Sequence, residues 1–247
     1  MKKVSKKIVG ITGASGTLGS EFIKKYKKYF VFKIYKNKIE NNLYFKNWIK
    51  KNQKIEFFIH LAAIVSVNMC NKNPKRAYIV NTNSTIKILD LLNKELKSLK
   101  YFLFTSSSHV YKPKFIKISE NSKRIPLSIY GKSKKRVEDY ILKNQNKFHF
   151  KTGIARIFNF YNPKHKKGFF IYDVKKKIKR KNVKNYFKKV NTSRDYLNID
   201  QLCEILFFMI KKNISMPLNI GSSKSINLIT LIRNLIKKDS SKNSFFF

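Results

Sequence analysis

Tyr130 and Lys134 stand four residues apart, in Tyr130-Gly-Lys-Ser-Lys134, at the start of a segment with helical character. On a helix that spacing puts both side chains on one face. A tyrosine, with a reference pKa of about 10, is a poor base at neutral pH. A neighbouring ammonium stabilises the phenolate, and the pair can then move a proton to or from an alcohol. By itself the spacing arises by chance in a chain with 13 tyrosines and abundant lysine. Its weight comes from Phe104-Thr-Ser-Ser-Ser-His-Val-Tyr111, which directly follows a strand pattern. Hydroxyls at the carboxyl end of a strand face the ligand crevice of a doubly wound sheet. One of them can hydrogen-bond the oxygen that Tyr130 protonates. Read alone, the same segment is a serine-rich turn.

A second group of residues supplies what such a pair needs. Gly10-Ile-Thr-Gly-Ala-Ser-Gly-Thr-Leu-Gly19 lies between a strand pattern over 7–12 and a helical pattern over 17–28. Gly13, Gly16 and Gly19 recur every third residue. Small residues let the backbone approach a pyrophosphate, and the helix N-terminus adds free N–H groups and partial positive charge. The bland alternative is a tight structural turn; the strand–turn–helix context favours a dinucleotide site, with Ser15, Thr17 and Leu18 along it. Dinucleotide folds usually place an acid after the second strand for the ribose 2′-hydroxyl. Here Phe32-Lys-Ile-Tyr35 leads into Lys36. A lysine would attract a 2′-phosphate, which leans toward NADP, unless Lys36 is simply one more surface lysine. A nicotinamide beside Tyr130 would exchange hydride with the carbon whose oxygen the tyrosine serves.

These residues need a scaffold, and the patterning provides one. Strands are expected at 7–12, 31–35, 55–61, 101–104 and 150–157. Helices are expected at 17–28, around Trp48 and Ile49, at 75–97 with Ile79, Ile86, Leu89 and Leu92 on one face, and at 128–146. The alternation implies an α/β Rossmann fold, a doubly wound parallel sheet, with a small C-terminal lobe. The dinucleotide-binding domain is placed at 1–160, with 194–210 contributing, and the substrate lobe at 161–247. After Pro163 the stretch 164–192 is dominated by lysine. Helices at 199–212 and 225–238 follow, and 240–247 reads as a frayed or a docked end.

Bulk properties set the limits. At 247 residues and 43% hydrophobic content, the chain can bury a globular core. No run approaches the roughly 18–20 apolar residues of a membrane span, and glycines interrupt the stretch after Met1, so neither a membrane nor a signal peptide is expected. Cys70 and Cys203 form no metal or redox spacing, so no metal site is expected and a reducing cytoplasm fits. The formal charge of +42 comes from 55 Lys+Arg against 13 Asp+Glu. Nearly all of it is lysine spread along the chain, whereas nucleic-acid sites favour the bidentate fork of arginine. A solvated lysine surface is the simpler reading, and no nucleic-acid partner is expected. The field should still attract polyanions such as nucleotide diphosphates.

Taken in order, these motifs resemble the extended short-chain dehydrogenase/reductase family, in its NAD-dependent epimerase/dehydratase group. Thr12-Gly-Ala-Ser-Gly-Thr-Leu-Gly19 looks like its phosphate loop, His60-Leu-Ala-Ala63 like its strand-four motif, and Asn81-Thr-Asn-Ser-Thr85 like its N-V-x-G-T helix. Ser106-Ser-Ser-His-Val-Tyr111 is similar to S-S-x-x-V-Y. Arg156-Ile-Phe-Asn159, Arg194-Asp-Tyr196 and Leu218-Asn-Ile-Gly221 resemble R-x-F-N, R-D-[FY] and Y-N-I-G. The resemblance implies Ser107, Tyr130 and Lys134 as catalytic residues. It implies Leu61, Ala62, Ala63 and Asn81, with Tyr130 and Lys134, against NAD or NADP. It implies Ser107, Ser108, His109, Asn159 and Arg194 against a nucleotide-diphosphate sugar, in a protein that could form a homodimer. The segment between Lys36 and Ile55 is short for the family, as is the stretch after Pro163, and His109 and Lys112 replace commoner residues.

Within that group, dehydratases carry an Asp-Glu pair straight after the catalytic hydroxyl. Here Ser108 and His109 stand there, which disfavours a 4,6-dehydratase, although His109 could act as an acid or base. A 4-epimerase and an NADPH-consuming 4-keto reductase remain, close to even. Gly168-Phe-Phe-Ile-Tyr-Asp173 is similar to the GDP-4-keto-6-deoxy-mannose reductase branch. A non-catalytic NAD(P)-binding regulator is the reading from another class, and the retained Ser107, Tyr130 and Lys134 count against it.

Overall fold

Six parallel strands form the central sheet of the computed structural model, which describes residues 6–114, 116–162, 193–231 and 233. In chain order these are β1 (Lys7–Thr12), β2 (Phe30–Ile34), β3 (Phe57–His60), β4 (Tyr101–Ser107), β5 (Lys151–Ile157) and β8 (Pro217–Ile220). They lie in the order β2-β1-β3-β4-β5-β8. β2 lies on one side of β1 and β3 on the other, so the chain reverses direction across the sheet at β1. In an open α/β sheet that reversal opens a crevice at the carboxyl ends of the strands. The expected Rossmann-type doubly wound sheet is the fold.

The helices are α1 (Thr17–Tyr26), α2 (Asn42–Lys50), α3 (Val67–Lys72), α4 (Pro74–Tyr78), α5 (Ser84–Glu95), α6 (Ile129–Asn144) and α7 (Ile199–Lys212). On one face of the sheet, Phe45 and Ile49 of α2, Ile88, Leu89 and Leu92 of α5 and Val137 and Ile141 of α6 share a core with Phe58, Phe102 and Phe104. Phe58 and Phe102 are register partners and stack at 5.7 Å. α1 and α7 form a separate aromatic layer: Tyr26 stacks on Phe207 at 4.3 Å, and Phe22 meets Phe32 edge-on at 6.1 Å. α7 ends in a left-handed Asn213 (φ 51), with Asn213 N–H on the Ile210 carbonyl and Ile214 N–H on the Met209 carbonyl. That closes the helix by a Schellman turn.

Two expectations change. The helix expected over 75–97 is broken into α4, a π-helical stretch at Ile79–Asn83, and α5. The wider turn shifts the register, so Val80 and Ile88 are buried while Ile79 and Ile86 are only partly covered. The first residues of the helix expected over 225–238 form a strand instead, β9 (Ser225–Asn227), and residues 228–231 are helical. The stretches 164–192 and 240–247, including Gly168–Asp173, lie outside the described residues.

The chain forms two compact units: residues up to Ile157 with Asp200–Ile220, and the described parts of Phe158–Ile199 with Gly221–Phe247. The second holds a small sheet in the order β6-β7-β9, from β6 (Asn159–Tyr161), β7 (Ser193–Asn198) and β9. Among the described residues, no helix is long and apolar enough to cross a membrane.

Candidate active site

The glycine loop runs from the end of β1 into α1. Gly13 adopts φ +71, and a side chain there would come within 2.6 Å of the Ala62 backbone N. A Cβ on Gly19 would collide with the Gly13 carbonyl. These two glycines fold the loop against itself. Gly16 differs: its backbone is extended, and an added Cβ would meet only the Gly13 carbonyl, at 3.2 Å. Gly16 is the N-cap of α1, with no side-chain cap and no acid in the first turn. Helix geometry leaves the first N–H groups without intrahelical acceptors, so this end offers donors and positive potential to an anion. The loop therefore fits a dinucleotide pyrophosphate. Ser15 is exposed, and Thr17 and Leu18 are half-buried along it. Gly16→Val should fold with a native melting profile yet lose at least about tenfold in dinucleotide affinity by calorimetry. Unchanged affinity would remove the loop from cofactor binding.

Behind the loop lies a buried chain of hydrogen bonds. Thr85 Oγ1 donates to the Asn81 carbonyl (2.9 Å), so it accepts from His60 Nε2–H (3.0 Å). His60 Nδ1 then accepts from Thr12 Oγ1 (2.9 Å), which itself accepts the Ala62 N–H (3.3 Å). The chain joins β1, β3, α5 and the Leu61–Ala62–Ala63 turn. Asn81, expected against the cofactor, turns its side chain to protein. Its Oδ1 accepts the Ile64 N–H (2.8 Å), and its Nδ2 donates to the Ile64 carbonyl (3.0 Å) and to Ser133 Oγ (3.2 Å). Asn81 thus fastens the turn after β3 to α6.

His60 is held neutral. Burial, then the Lys134 ammonium, lowers its pKa to about 3, from 6.5. Between those values the unfolded chain takes up a proton that the native protein refuses. Stability is therefore complete above about pH 6.5 and declines as pH falls toward 3. The urea midpoint should drop steadily from pH 7 to pH 4, and His60→Gln should flatten that dependence. An equally steep slope in the variant would assign the acid sensitivity to other groups.

At the carboxyl end of β4 the three expected catalytic side chains come together. The Tyr130 phenol faces the Ser107 hydroxyl, which favours its ionised form. Lys134 Nζ donates to the Thr105 carbonyl (2.8 Å), 4.8 Å over the Phe104 ring and 6.0 Å from the Tyr130 ring. Ser128 caps α6 by accepting the Gly131 N–H (3.0 Å), which sets the phase of the helix. Gly131 lets the His109 backbone lie against α6, where a Cβ would collide with the His109 carbonyl. The His109 ring stands edge-on to Tyr130 at 5.6 Å, and the His109 backbone N–H donates to Ser107 Oγ (3.2 Å). Ser108 is half-buried beside it.

Burial dominates the electrostatics of this cluster. It pushes the Tyr130 phenol up to about 12, against the lowering contributed by the Ser107 hydroxyl. It pulls Lys134 down to about 8, against Cys70 and Glu138, which favour the ammonium. The expected lowering of Tyr130 by Lys134 is therefore not the leading effect: the ammonium is directed at the Thr105 carbonyl. Cys70, fully buried, packs against Tyr130 and donates to the Ile64 carbonyl at 3.3 Å.

The other expected residues belong to other elements. Lys36 is exposed just beyond β2. Asn159 and Arg194 belong to the second unit. There Asn159 Nδ2 donates to the Asp195 carbonyl (3.2 Å), and Arg194 is exposed, with Nη1 on the Ser193 carbonyl (3.0 Å). Asp195 caps the turn after Gly221, accepting the Ser222 N–H (2.7 Å) and the Ser223 N–H (2.9 Å).

The sequence reading overlooked Glu138 entirely. It repeats the Tyr130–Lys134 interval once more along α6, and that third step was the available signal. Its carboxylate is fully buried between Arg156 and Arg124, with Ser106 Oγ at 2.5 Å.

The family model described as the NAD dependent epimerase/dehydratase family matches residues 9–221. The chain belongs to this family. Its glycine loop, β4 hydroxyls and tyrosine–lysine pair all fall inside the matched stretch. A provisionally named UDP-glucose 4-epimerase of Methanocaldococcus jannaschii is 28% identical over 190 residues, which is 74% of this chain and 61% of that protein. The uncharacterized UDP-glucose epimerase YtcB of Bacillus subtilis is 26% identical over 251 residues, 90% of this chain and 79% of that one. Among solved structures, a UDP-glucuronic acid 4-epimerase of Bacillus cereus, in complex with UDP-glucuronic acid and NAD, superposes with a TM-score of 0.84. It is 22% identical, over 96% of this chain and 84% of that one.

Proposed function

We propose that this chain is a UDP-sugar 4-epimerase that uses Tyr130 as its proton-transfer residue. The observation that carries the reading is the buried cluster at the carboxyl end of β4, where the Tyr130 phenol faces the Ser107 hydroxyl and Lys134 Nζ binds the Thr105 carbonyl. The 4-epimerase names of the M. jannaschii relative and of the B. cereus structure, and the epimerase name of YtcB, support the choice of reaction. Ser108 and His109 stand where dehydratases carry their acidic pair.

Gly13, Gly16 and Gly19 hold the dinucleotide pyrophosphate against α1, and Lys134 anchors the nicotinamide ribose. When bound, the dinucleotide supplies the acceptor and donor of hydride at the sugar carbon. In the oxidising half, Tyr130 takes the proton of the sugar hydroxyl at its phenolic oxygen while Ser107 holds the same oxygen in line. In the reducing half, Tyr130 returns that proton to the keto oxygen, and delivery to the opposite face inverts the centre. Its raised pKa keeps the phenol protonated in the protein without cofactor, so it can take the hydroxyl proton only after losing its own to solvent, a loss that the positive charge of a bound oxidised nicotinamide would favour. Arg194 and Asn159 hold the substrate diphosphate, for which the guanidinium fork is suited. The two free, buried thiols, Cys70 and Cys203, suit a reducing cytoplasm.

Incubation with UDP-glucose, UDP-galactose, UDP-glucuronic acid and their N-acetyl counterparts, with added NAD, tests the reading by NMR of the sugar C4 proton. Interconversion of C4 epimers without net cofactor consumption is expected. In a parallel incubation with NADPH and a nucleotide-linked 4-keto sugar, stoichiometric NADPH oxidation would instead support the second reading, a 4-keto reductase, which Lys36 favours. In that case the parent protein binds NADP more tightly than NAD, and Lys36→Asp reverses the preference by a few fold, because the site is exposed. Tighter NAD binding by the parent supports the epimerase.

A further inference from the structure

Thr105, Ser106 and Ser107, three consecutive residues at the end of β4, are each held by one residue of the same face of α6. Lys134 Nζ binds the Thr105 carbonyl at 2.8 Å, the Tyr130 phenol faces the Ser107 side chain, and Glu138 accepts from Ser106 Oγ at 2.5 Å. The first two belong to the proton-transfer machinery described above. The third had no assigned part.

We propose that Glu138 is a positioning residue for the Ser107–Tyr130 pair, and that its buried carboxylate also ties the loop following β4 to that pair. The proposal rests on the reading of Ser107 and Tyr130 as the reacting groups. Glu138 is fully buried, and its two oxygens receive donors from three directions. Ser106 comes from β4. Arg156 comes from β5, with Nε 3.2 Å from one oxygen and 3.0 Å from the other, and Nη2 at 2.8 Å. Arg124 comes from the loop, with Nη1 at 3.1 Å. The other side of the Arg156 guanidinium holds the same loop: Nη1 donates to Tyr111 Oη (2.5 Å) and to the Glu120 carbonyl (2.9 Å). Tyr111 Oη in turn donates to Asn219 Oδ1 at 2.9 Å, on β8.

A buried ion network of this kind is poor evidence of added stability, because packed apolar side chains often do as well. What apolar contacts lack is direction. The carboxylate fixes the strand carrying Ser107, the helix carrying Tyr130 and the loop carrying Arg124 by bonds of defined angle. A misplacement of 1 Å at a reacting group loses about 10²-fold in rate. Holding Ser107 in line with Tyr130 is thus a task suited to directional bonds.

Glu138→Gln keeps the shape but presents an amide donor to a guanidinium. Its kcat should fall about 10–100-fold, with KM and dinucleotide affinity changed less than about threefold. Glu138→Asp, which restores the charge one methylene short, should recover part of that loss. Arg124 is one-fifth exposed, and Glu138 keeps Arg156 without it, so Arg124→Gln retains the fold should Glu138→Gln fail to fold. It should lower kcat several-fold at nearly constant Tm. A readout free of turnover uses protein labelled with ¹³Cζ-tyrosine, the Tyr130 signal being the one lost in Tyr130→Phe. That signal should move in Arg124→Gln and Glu138→Gln and stay in place in Lys135→Gln, which removes only the outward pair with Asp139. A folded variant with wild-type kcat and an unmoved Tyr130 signal would overturn the proposal. If the wild type turns over no nucleotide sugar, the enzymatic reading fails; the Tyr130 signal then still decides whether Glu138 sets that tyrosine.

Discussion

Tyr130→Phe is expected to keep its fold and its dinucleotide and to lose about 10²–10⁴-fold in turnover, the usual contribution of a positioned acid–base group. The substitution removes one oxygen from a buried ring. The ring contacts to Cys70 and Ala77 and the edge-on approach of His109 stay in place. The lost oxygen faces the Ser107 hydroxyl, which in the free protein still accepts the His109 backbone N–H. The effect on stability is accordingly small, since removing a buried phenol also relieves its desolvation. Circular dichroism, dinucleotide titration and the C4-proton assay, run on one preparation, separate these outcomes. A folded variant with undiminished turnover would take the tyrosine out of the mechanism.

The largest expected effect on stability belongs to Arg156→Met. Arg156 is 2% exposed and makes most of the bonds to Glu138, which is fully buried. Methionine fills much of the volume, but Glu138 then keeps only Arg124 and Ser106, and Tyr111 and the Glu120 carbonyl each lose a donor. Breaking a buried pair by removing one partner destabilises by about 3–5 kcal/mol, and the retained Arg124 places this case at the lower end. Urea unfolding should show that loss at neutral pH. It should shrink in the double variant Arg156→Met/Glu138→Leu, where the stranded charge is gone. Equal losses in the single and double variants would show that packing, and not charge, makes Arg156 matter.

The sequence alone carried the fold and marked the residues of the candidate site, for a reason rooted in locality. The glycine loop, its strand and its helix are contiguous, so their spacing is written in neighbouring residues. The Tyr130–Lys134 step needs only a helix, and the capping Ser128 stands just ahead of it. The expected strands begin or end within a few residues of the observed ones because each is a short run rich in apolar residues. What the sequence could not supply were bonds between distant segments. The buried chain through Thr12, His60 and Thr85 spans three elements, and no local pattern marks it. The π-helical turn at Ile79–Asn83 was missed because hydrophobic spacing alone assumes a regular period; the extra residue in the turn aims Asn81 at Ile64 and Ser133.

Tertiary structure also decided the electrostatics. In sequence, Lys134 is a cation beside a tyrosine; in the fold, burial raises the phenol, depresses the lysine and directs the ammonium at the Thr105 carbonyl. Glu138 reads in sequence as one more charge on a helix. Only the packing of β4, β5 and the loop around α6 makes it a fully desolvated carboxylate between two arginines. Desolvation depends on what surrounds a group in space, and segments far apart in the chain supply those surroundings.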